Sequence, residues 1–189
     1  GAMLVPFLIL LVAIMLGGIC YRGSTVILPA CFELRTPEIF RWISAAAGKE
    51  ISGNLIATAT ASLIYLVGML GQYTGGGAAE RYDPRICYLA FYVVTVPPAF
   101  LMAVATDLPL VLLATLYFFF LLGMQPIENT LVTRFTPARV RHSAFGLKFV
   151  LTFGVGALAV KLAEAMDRSS GLESVFTALG WTSVLLVGV

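Results

Sequence analysis

Long apolar segments alternate with short polar links along most of the chain. The apolar segments number six and lie at about residues 4–34, 52–79, 86–105, 109–131, 141–163 and 174–189. A helix needs roughly 20 apolar residues to cross the hydrocarbon core of a bilayer, whereas the strands of membrane barrels are shorter and alternate in polarity. The pattern therefore predicts an all-α integral membrane protein, a bundle of six membrane-spanning helices whose last span is cut short at Val189.

Two stretches of the chain fall outside these spans. Residues 36–50 mix charged and apolar positions and include Trp42, which is typical of a short amphipathic helix lying at the membrane surface. Gly1-Ala2-Met3 is typical of the remnant of a cleaved tag and is expected to take no part in the fold. We therefore expect a single domain over residues 4–189.

The composition agrees with a membrane protein. Hydrophobic residues make up 59% of the chain and charged residues 12%, whereas roughly a quarter of a soluble domain is charged. The 12 basic and 10 acidic residues nearly cancel, so no basic surface indicates a nucleic-acid partner. The expected partner is the lipid bilayer, and the expected location is a cell membrane, either a plasma membrane or a bacterial inner membrane.

Residues suited to catalysis are few. His142 is the only histidine, and Cys20, Cys31 and Cys87 lack the spacing of metal ligands. No GxSxG, HExxH or phosphate-binding loop occurs in the sequence. We therefore expect no enzyme activity, no metal site and no cofactor.

Small residues punctuate the second span. Gly71 and Gly75 form a GxxxG pattern, and small residues at this spacing let two helix backbones approach closely in lipid. The pattern predicts that this face of the helix packs against a neighbour.

The link after the second span carries the most specific motif. It resembles the loop signature of the major facilitator superfamily of transporters, in which a glycine is followed by an acid, a base and further basic residues. Gly76 matches the glycine, Glu80 the acid, and Arg81 and Arg85 the bases. Asp83 stands where the family usually has glycine, a departure that suits the weaker copy in the family's second half.

Two further segments extend the resemblance in the right order. Residues 134–157 are similar to the link between the family's tenth and eleventh helices, and residues 21–29 are similar to its seventh helix. The resemblance implies the C-terminal six-helix half of such a transporter, built as two inverted three-helix repeats. It also implies that the basic loops, residues 80–85 and 134–142, lie together on the cytoplasmic side.

Within this resemblance, Glu80 is expected to approach the start of the fifth span, just after Pro137. A helix N-terminus favours a negative charge, so this contact would hold one conformation of the bundle. Alternatively, these residues are the ordinary charges of a short loop.

Polar residues inside the spans are the candidates for substrate or ion binding. They are Arg22, Gln125, Glu128, Asn129 and Lys148. Glu128 could carry a proton, or it could form a structural ion pair with a basic loop residue. Lys148 could bind an anionic group or pair with Glu128, or its ammonium could reach the inner headgroups instead. We predict that Lys148 and Glu128 face the same inner region and neutralise each other.

Arg22 has two interpretations. The resemblance puts it in the helix that lines the central cavity, where a guanidinium could bind a carboxylate or a phosphate. Alternatively, the helix begins at Leu4, and Arg22 then lies about 27 Å further along, near the outer headgroups.

The leading functional hypothesis is half of a secondary active transporter that moves a small solute by alternating access, with ion coupling. Its second wall would come from an N-terminal six-helix half or from a second copy of this chain. The alternative hypothesis is a membrane module that binds or docks a partner without transport.

Overall fold

The chain folds into α-helices joined by short links. The computed structural model describes residues 4–189, so the expected tag remnant at residues 1–3 lies outside the described part. The helices are α1 (Leu4–Arg35), α2 (Pro37–Ala47), α3 (Gly53–Arg81), α4 (Pro84–Leu101), α5 (Asp107–Phe135), α6 (Arg141–Ser170) and α7 (Leu172–Gly188), with a 3-10 turn at Ala138–Val140 before α6. Over residues 4–189 no strand occurs, which confirms the all-α class.

Five of these helices, α1, α3, α4, α5 and α6, are long and apolar enough to cross a membrane. The apolar helix α7 has 17 residues, which is shorter than the other spans. The chain is therefore a multi-pass α-helical membrane protein with five full-length candidate spans, and the sixth predicted span corresponds to this shorter helix.

Some helices extend beyond the predicted spans, because charged residues and proline ended the apolar runs but do not end the helices. Helix α6 was expected to end near residue 163 but continues to Ser170, because charged side chains in its last turns do not interrupt the helical hydrogen bonds. Helix α4 begins at Pro84 rather than residue 86, since Asp83 caps it and proline suits the first helical turn. Apolar runs thus mark where the helices meet lipid rather than where they end.

The predicted amphipathic helix is present as α2. None of its residues is buried, and Trp42 is 73% exposed. The Asp107 carboxylate, at the start of α5, accepts a hydrogen bond from the Glu38 backbone N–H at 2.8 Å. This contact satisfies a free donor at the N-terminus of α2 and fixes that helix against the α4–α5 link.

Contacts between links define two ends of the bundle. At one end, Asp83 Oδ1 lies 3.6 Å from Arg134 Nη1, so the link before α4 meets the last turn of α5 there. We call this the basic-loop end. At the opposite end, Arg35 donates to the Ala103 carbonyl and pairs with Glu173 at 3.3 Å. Consecutive long helices are therefore antiparallel, and the prediction that both basic loops lie at one end is confirmed.

The packing of the five long helices and α7 follows a repeated pattern. The packed pairs are α1–α3, α1–α5, α1–α6, α1–α7, α3–α4, α3–α5, α4–α5, α4–α7, α5–α6 and α6–α7. Exchanging α1 with α5, α3 with α6 and α4 with α7 leaves α1–α5 and α4–α7 unchanged and turns each of the other packed pairs into another packed pair. Because α1 and α5 run in opposite directions, this is the pattern of packed pairs expected of two inverted three-helix units.

The closest helix contact joins α3 to α5. A Cβ added to Gly71 would lie 2.0 Å from the Phe119 carbonyl oxygen, and one added to Gly75 would lie 1.9 Å from the Gly123 carbonyl oxygen. No side chain fits at either position, so the predicted close packing by these two glycines is confirmed.

The Gly75→Ala substitution is expected to destabilise the protein by about 1–3 kcal/mol, since its methyl group must push two backbones apart. The matched control is Gly77→Ala on the same helix, where an added Cβ would meet nothing within 4 Å. Thermal unfolding in a mild detergent measures both variants. Equal melting temperatures for the two would contradict the packing account.

Single cysteines should reveal which links share a side of the membrane. Cysteines placed at Tyr82 and Ala138, at the basic-loop end, are expected to react with an impermeant thiol reagent from one side. Cysteines placed at Ala46 and Ser169 should react from the other side. The native cysteines are buried and should contribute little background. Labelling of positions 82 and 138 from opposite sides would contradict the observed helix order.

Candidate functional site

The centre of the candidate site is a buried ion pair between α5 and α6. Lys148 Nζ lies 3.2 Å from Glu128 Oε2 and donates a hydrogen bond of 2.6 Å to Asn129 Oδ1. The side chains of Lys148 and Glu128 are only 6% and 11% exposed. The structure thus brings three of the sequence-predicted residues together, and the predicted pairing of Lys148 with Glu128 is confirmed.

The lengths of α5 and α6 explain why the two charges meet. Glu128 precedes the end of α5 at Phe135 by seven residues, and Lys148 follows the start of α6 at Arg141 by seven residues. Both therefore lie about 10 Å inside the bundle from the same end. The short link around Pro137 keeps the two helix ends together, so the charged side chains reach matching depths.

Tyrosines on α4 complete the surroundings of the carboxylate. The Tyr88 hydroxyl donates to Glu128 Oε1 at 3.4 Å, and the rings of Tyr88 and Tyr92 meet edge to face with centroids 5.0 Å apart. Neither tyrosine was predicted from the sequence, since tyrosine in an apolar span usually serves packing. Their spacing of four residues places them on one face of α4, which is the only sequence signal for the contact.

Burial of these charges sets the energetics of the site. A single ionised group in an apolar interior is costly, whereas a hydrogen-bonded pair recovers most of that cost. Lys148 is 5% exposed, so its ammonium does not reach the headgroup region, and the snorkelling alternative is wrong. Each charge therefore depends on the other to stay inside the bundle.

A small cavity adjoins the ion pair. It has a volume of about 20 Å³ and is lined by residues that include Gln125, Glu128, Gly18 and Thr152. The Thr152 hydroxyl is buried and has no hydrogen-bond partner among the described residues. A space of this size with several polar groups is suited to about one water molecule. Gln125 thus joins the site through this cavity, which it lines together with Glu128.

Arg22 occupies the seam between α1 and α6. Its guanidinium carbon lies 4.9 Å from the centroid of the Phe153 ring, within the range of a cation–π contact. A Cβ added to Gly156 would come within 2.4 Å of Arg22 Cγ, so this glycine makes room for the arginine. Over residues 4–189, no carboxylate pairs with Arg22.

The depth of Arg22 follows from its neighbours. It precedes Arg35, at the opposite end, by 13 residues, and its contact Gly156 follows Arg141, at the basic-loop end, by 15 residues. The helical rise therefore puts Arg22 about 20 Å from either polar end. This position disagrees with the interfacial alternative, because α1 does begin at Leu4 but extends well beyond Arg22.

The loop motif forms contacts other than the predicted one. Glu80 is exposed and makes no hydrogen bond or ion pair within residues 4–189, and α6 receives no side-chain cap. The predicted approach of Glu80 to α6 is therefore wrong. Asp83 makes the link between the loops instead, since it pairs with Arg134 and also accepts from the Arg85 backbone N–H at 2.9 Å.

The position at which α3 ends explains why Asp83, and not Glu80, makes this contact. Glu80 and Arg81 belong to its last turn and are exposed, whereas Asp83 follows the helix and caps α4. Gly76 is not tightly packed, since a Cβ added there would lie 3.8 Å from Pro126, an ordinary van der Waals distance. The close approach of α3 to α5 occurs at Gly75 instead. The motif residues thus lie at the expected end of the bundle with different individual roles.

An open groove between α1, α3 and α5 carries polar side chains that sequence analysis did not select. Its volume is about 490 Å³, and its polar lining residues are Tyr21, Thr25, Ser62, Tyr65 and Gln72. The Tyr65 hydroxyl donates to the Thr25 carbonyl at 2.8 Å. Gln72 in a charge-free span is the signal that could have indicated this surface.

No protein-family model matches the chain, and no curated protein matches it. The function proposed below therefore rests on the residues and contacts of this chain alone.

A double-mutant cycle tests the dependence of the two buried charges on each other. Glu128→Gln and Lys148→Met are each expected to destabilise the protein by about 3–5 kcal/mol, because each leaves one buried charge unpaired. The double variant should lose much less than the sum of the two. Chemical denaturation in detergent measures the cycle.

The control cycle uses Lys161→Met and Glu164→Gln, since Lys161 and Glu164 are both exposed and both lie on α6. Each control substitution should change stability by no more than about 0.5 kcal/mol. Additive losses at positions 128 and 148 would contradict mutual neutralisation.

Proposed function

We propose that this chain is one half of a secondary active transporter that moves a small solute across a membrane by alternating access. The proposed family is the major facilitator superfamily, of which this chain would be the C-terminal six-helix half. Helix α7 would be the sixth membrane span of that half. We further propose that the protein lies in a cell membrane with its basic loops on the cytoplasmic side.

The observation that carries the proposal is the inverted correspondence of the two three-helix units. Many carriers are built from inverted repeats, and their binding sites lie at the interface of the repeats near the middle of the bilayer. An exchange of α1, α3 and α4 with α5, α6 and α7 preserves every packed helix pair. Such symmetry allows one bundle to adopt two similarly stable arrangements that open to opposite sides.

The polar groove supports a solute-facing surface. Its hydroxyl and amide groups lie on α1 and α3, and neighbouring exposed residues of α3 are large and apolar, for example Leu63 at 63% and Leu70 at 62% exposed. The Thr25, Ser62 and Tyr65 hydroxyls donate to backbone carbonyls of the bundle, but the Gln72 side-chain amide would be costly to expose to hydrocarbon. This wall is therefore proposed to be covered by a second six-helix half or a second copy of the chain. The solute would bind between the two walls, with Arg22 nearby at mid-depth.

The buried ion pair supports ion coupling. Glu128 and Lys148 neutralise each other at 3.2 Å, beside a cavity with space for about one water molecule. Protonation of the carboxylate would weaken this pair and thus the contact between α5 and α6. A proton is therefore the proposed coupling ion, and Glu128 is its proposed carrier.

A non-transporting module is the second candidate. The mutual neutralisation of the buried charges favours it, because a satisfied pair is also what a static bundle requires. In that case the exposed apolar faces of α1 and α3 would serve only for assembly.

Accessibility of the groove distinguishes the two candidates. In the full-length protein in intact cells and in inverted vesicles, Ser62→Cys is expected to react with an impermeant thiol reagent from both sides. The reason is that an alternating carrier exposes the groove to each side in turn. The matched control, Leu63→Cys, lies on the neighbouring exposed apolar position and should react from neither. Reaction of position 62 from one side only, or from neither, would reject the transporter in favour of the static module.

A further inference from the structure

A further pocket lies at the basic-loop end, and neither charged residue of the buried ion pair lines it. It has a volume of about 370 Å³ and is formed by α1, α4, α5 and α7, with Ile9, Leu10, Leu89, Leu131 and Leu186 among its apolar walls. This volume falls within the range of small-molecule sites. Such a pocket can receive an apolar group such as an acyl chain.

The pocket has one charged lining residue, Arg85. Arg85 is exposed, and its guanidinium carbon lies 4.8 Å from the centroid of the Phe135 ring, which also lines the pocket. This cation–π contact orients the charge at the pocket. Over residues 4–189, no carboxylate lies within ion-pair distance of Arg85, so its charge is free to meet an anion.

Along the helices, the pocket lining changes from charged to apolar, as a lipid molecule does from its headgroup to its acyl chains. Arg85 is in the first turn of α4, and Leu89 is one turn further into the bundle. On α1 the lining continues from Pro6 to Ala13, which is about 10 Å along the helix. A cation therefore lies at headgroup level and apolar walls lie at acyl-chain level.

The charge of this end agrees with an anionic headgroup. The loop residues 80–85 and 134–142 contain five arginines and two acidic residues, and one of those acids is already paired with an arginine. Basic pockets between membrane helices attract the headgroups of anionic lipids. We propose that this pocket binds an anionic phospholipid, with its phosphate at Arg85 and an acyl chain against α1, α4 and α7.

The experiment measures lipid affinity by native mass spectrometry of the full-length protein. The protein is taken from vesicles of phosphatidylcholine and phosphatidylglycerol in a three-to-one ratio. The wild type should retain phosphatidylglycerol in preference to phosphatidylcholine. Arg85→Gln should weaken phosphatidylglycerol binding by about tenfold, the effect of losing one charge-assisted hydrogen bond. Arg139→Gln is the matched control at the same end, since Arg139 does not line the pocket, and it should retain wild-type affinity.

Two further arms test the apolar part of the site. Ala13→Phe keeps every charge but fills the pocket, so it should also weaken phosphatidylglycerol binding; its melting temperature reports whether it folds. Glycerol 3-phosphate, which carries the phosphate without acyl chains, should fail to displace the lipid at millimolar concentration.

Four results would overturn the proposal. Unchanged binding by Arg85→Gln would exclude the headgroup contact, and equal losses for Arg85→Gln and Arg139→Gln would indicate diffuse charge attraction. Displacement by glycerol 3-phosphate would assign the site to a free phosphate compound. A wild type that retains no phosphatidylglycerol would indicate that protein, from a further segment or a second copy, fills the pocket.

Discussion

The Lys148 ammonium and the Glu128 carboxylate can stay inside this apolar bundle only while they neutralise each other, 3.2 Å apart. Several features of the structure serve that condition. The two residues lie equally deep because α5 and α6 are joined by a short link, and Asn129 and Tyr88 supply further polar contacts to the two charged groups. Any movement of α6 relative to α5 must therefore separate the pair or carry both residues together, which makes their contact sensitive to conformation.

Close backbone packing provides the rigid frame around this contact. Gly71 and Gly75 bring α3 against α5 with no space for a side chain, and Gly156 similarly accommodates Arg22 between α1 and α6. These two helix pairs correspond to each other under the internal exchange of three-helix units. The bundle thus has two corresponding close seams, and Arg22 lies in the one between α1 and α6.

The sequence predicted the features that depend on composition and spacing. Apolar runs predicted the long helices, GxxxG predicted the α3–α5 contact, and equal distance from one loop predicted the Lys148–Glu128 pair. It could not predict the role of Glu80, because α3 continues to Arg81, two residues beyond the predicted end, so Glu80 stays in the exposed last turn and Asp83 makes the contact with Arg134. The groove residue Gln72 and the partner Tyr88 were also missed, since their importance depends on which helix faces them.

The proposed alternating access requires that opening at one end of the bundle be coupled to closing at the other. Hydrogen–deuterium exchange of the full-length protein in lipid nanodiscs tests it most directly, using Arg134→Gln to remove the Asp83 contact at the basic-loop end and Arg139→Gln as the control. For Arg134→Gln, the account predicts faster exchange in residues 82–85 and 136–142 together with slower exchange in residues 48–53 and 102–107 at the opposite end. Faster exchange at the basic-loop end with no change at the opposite end would contradict alternating access.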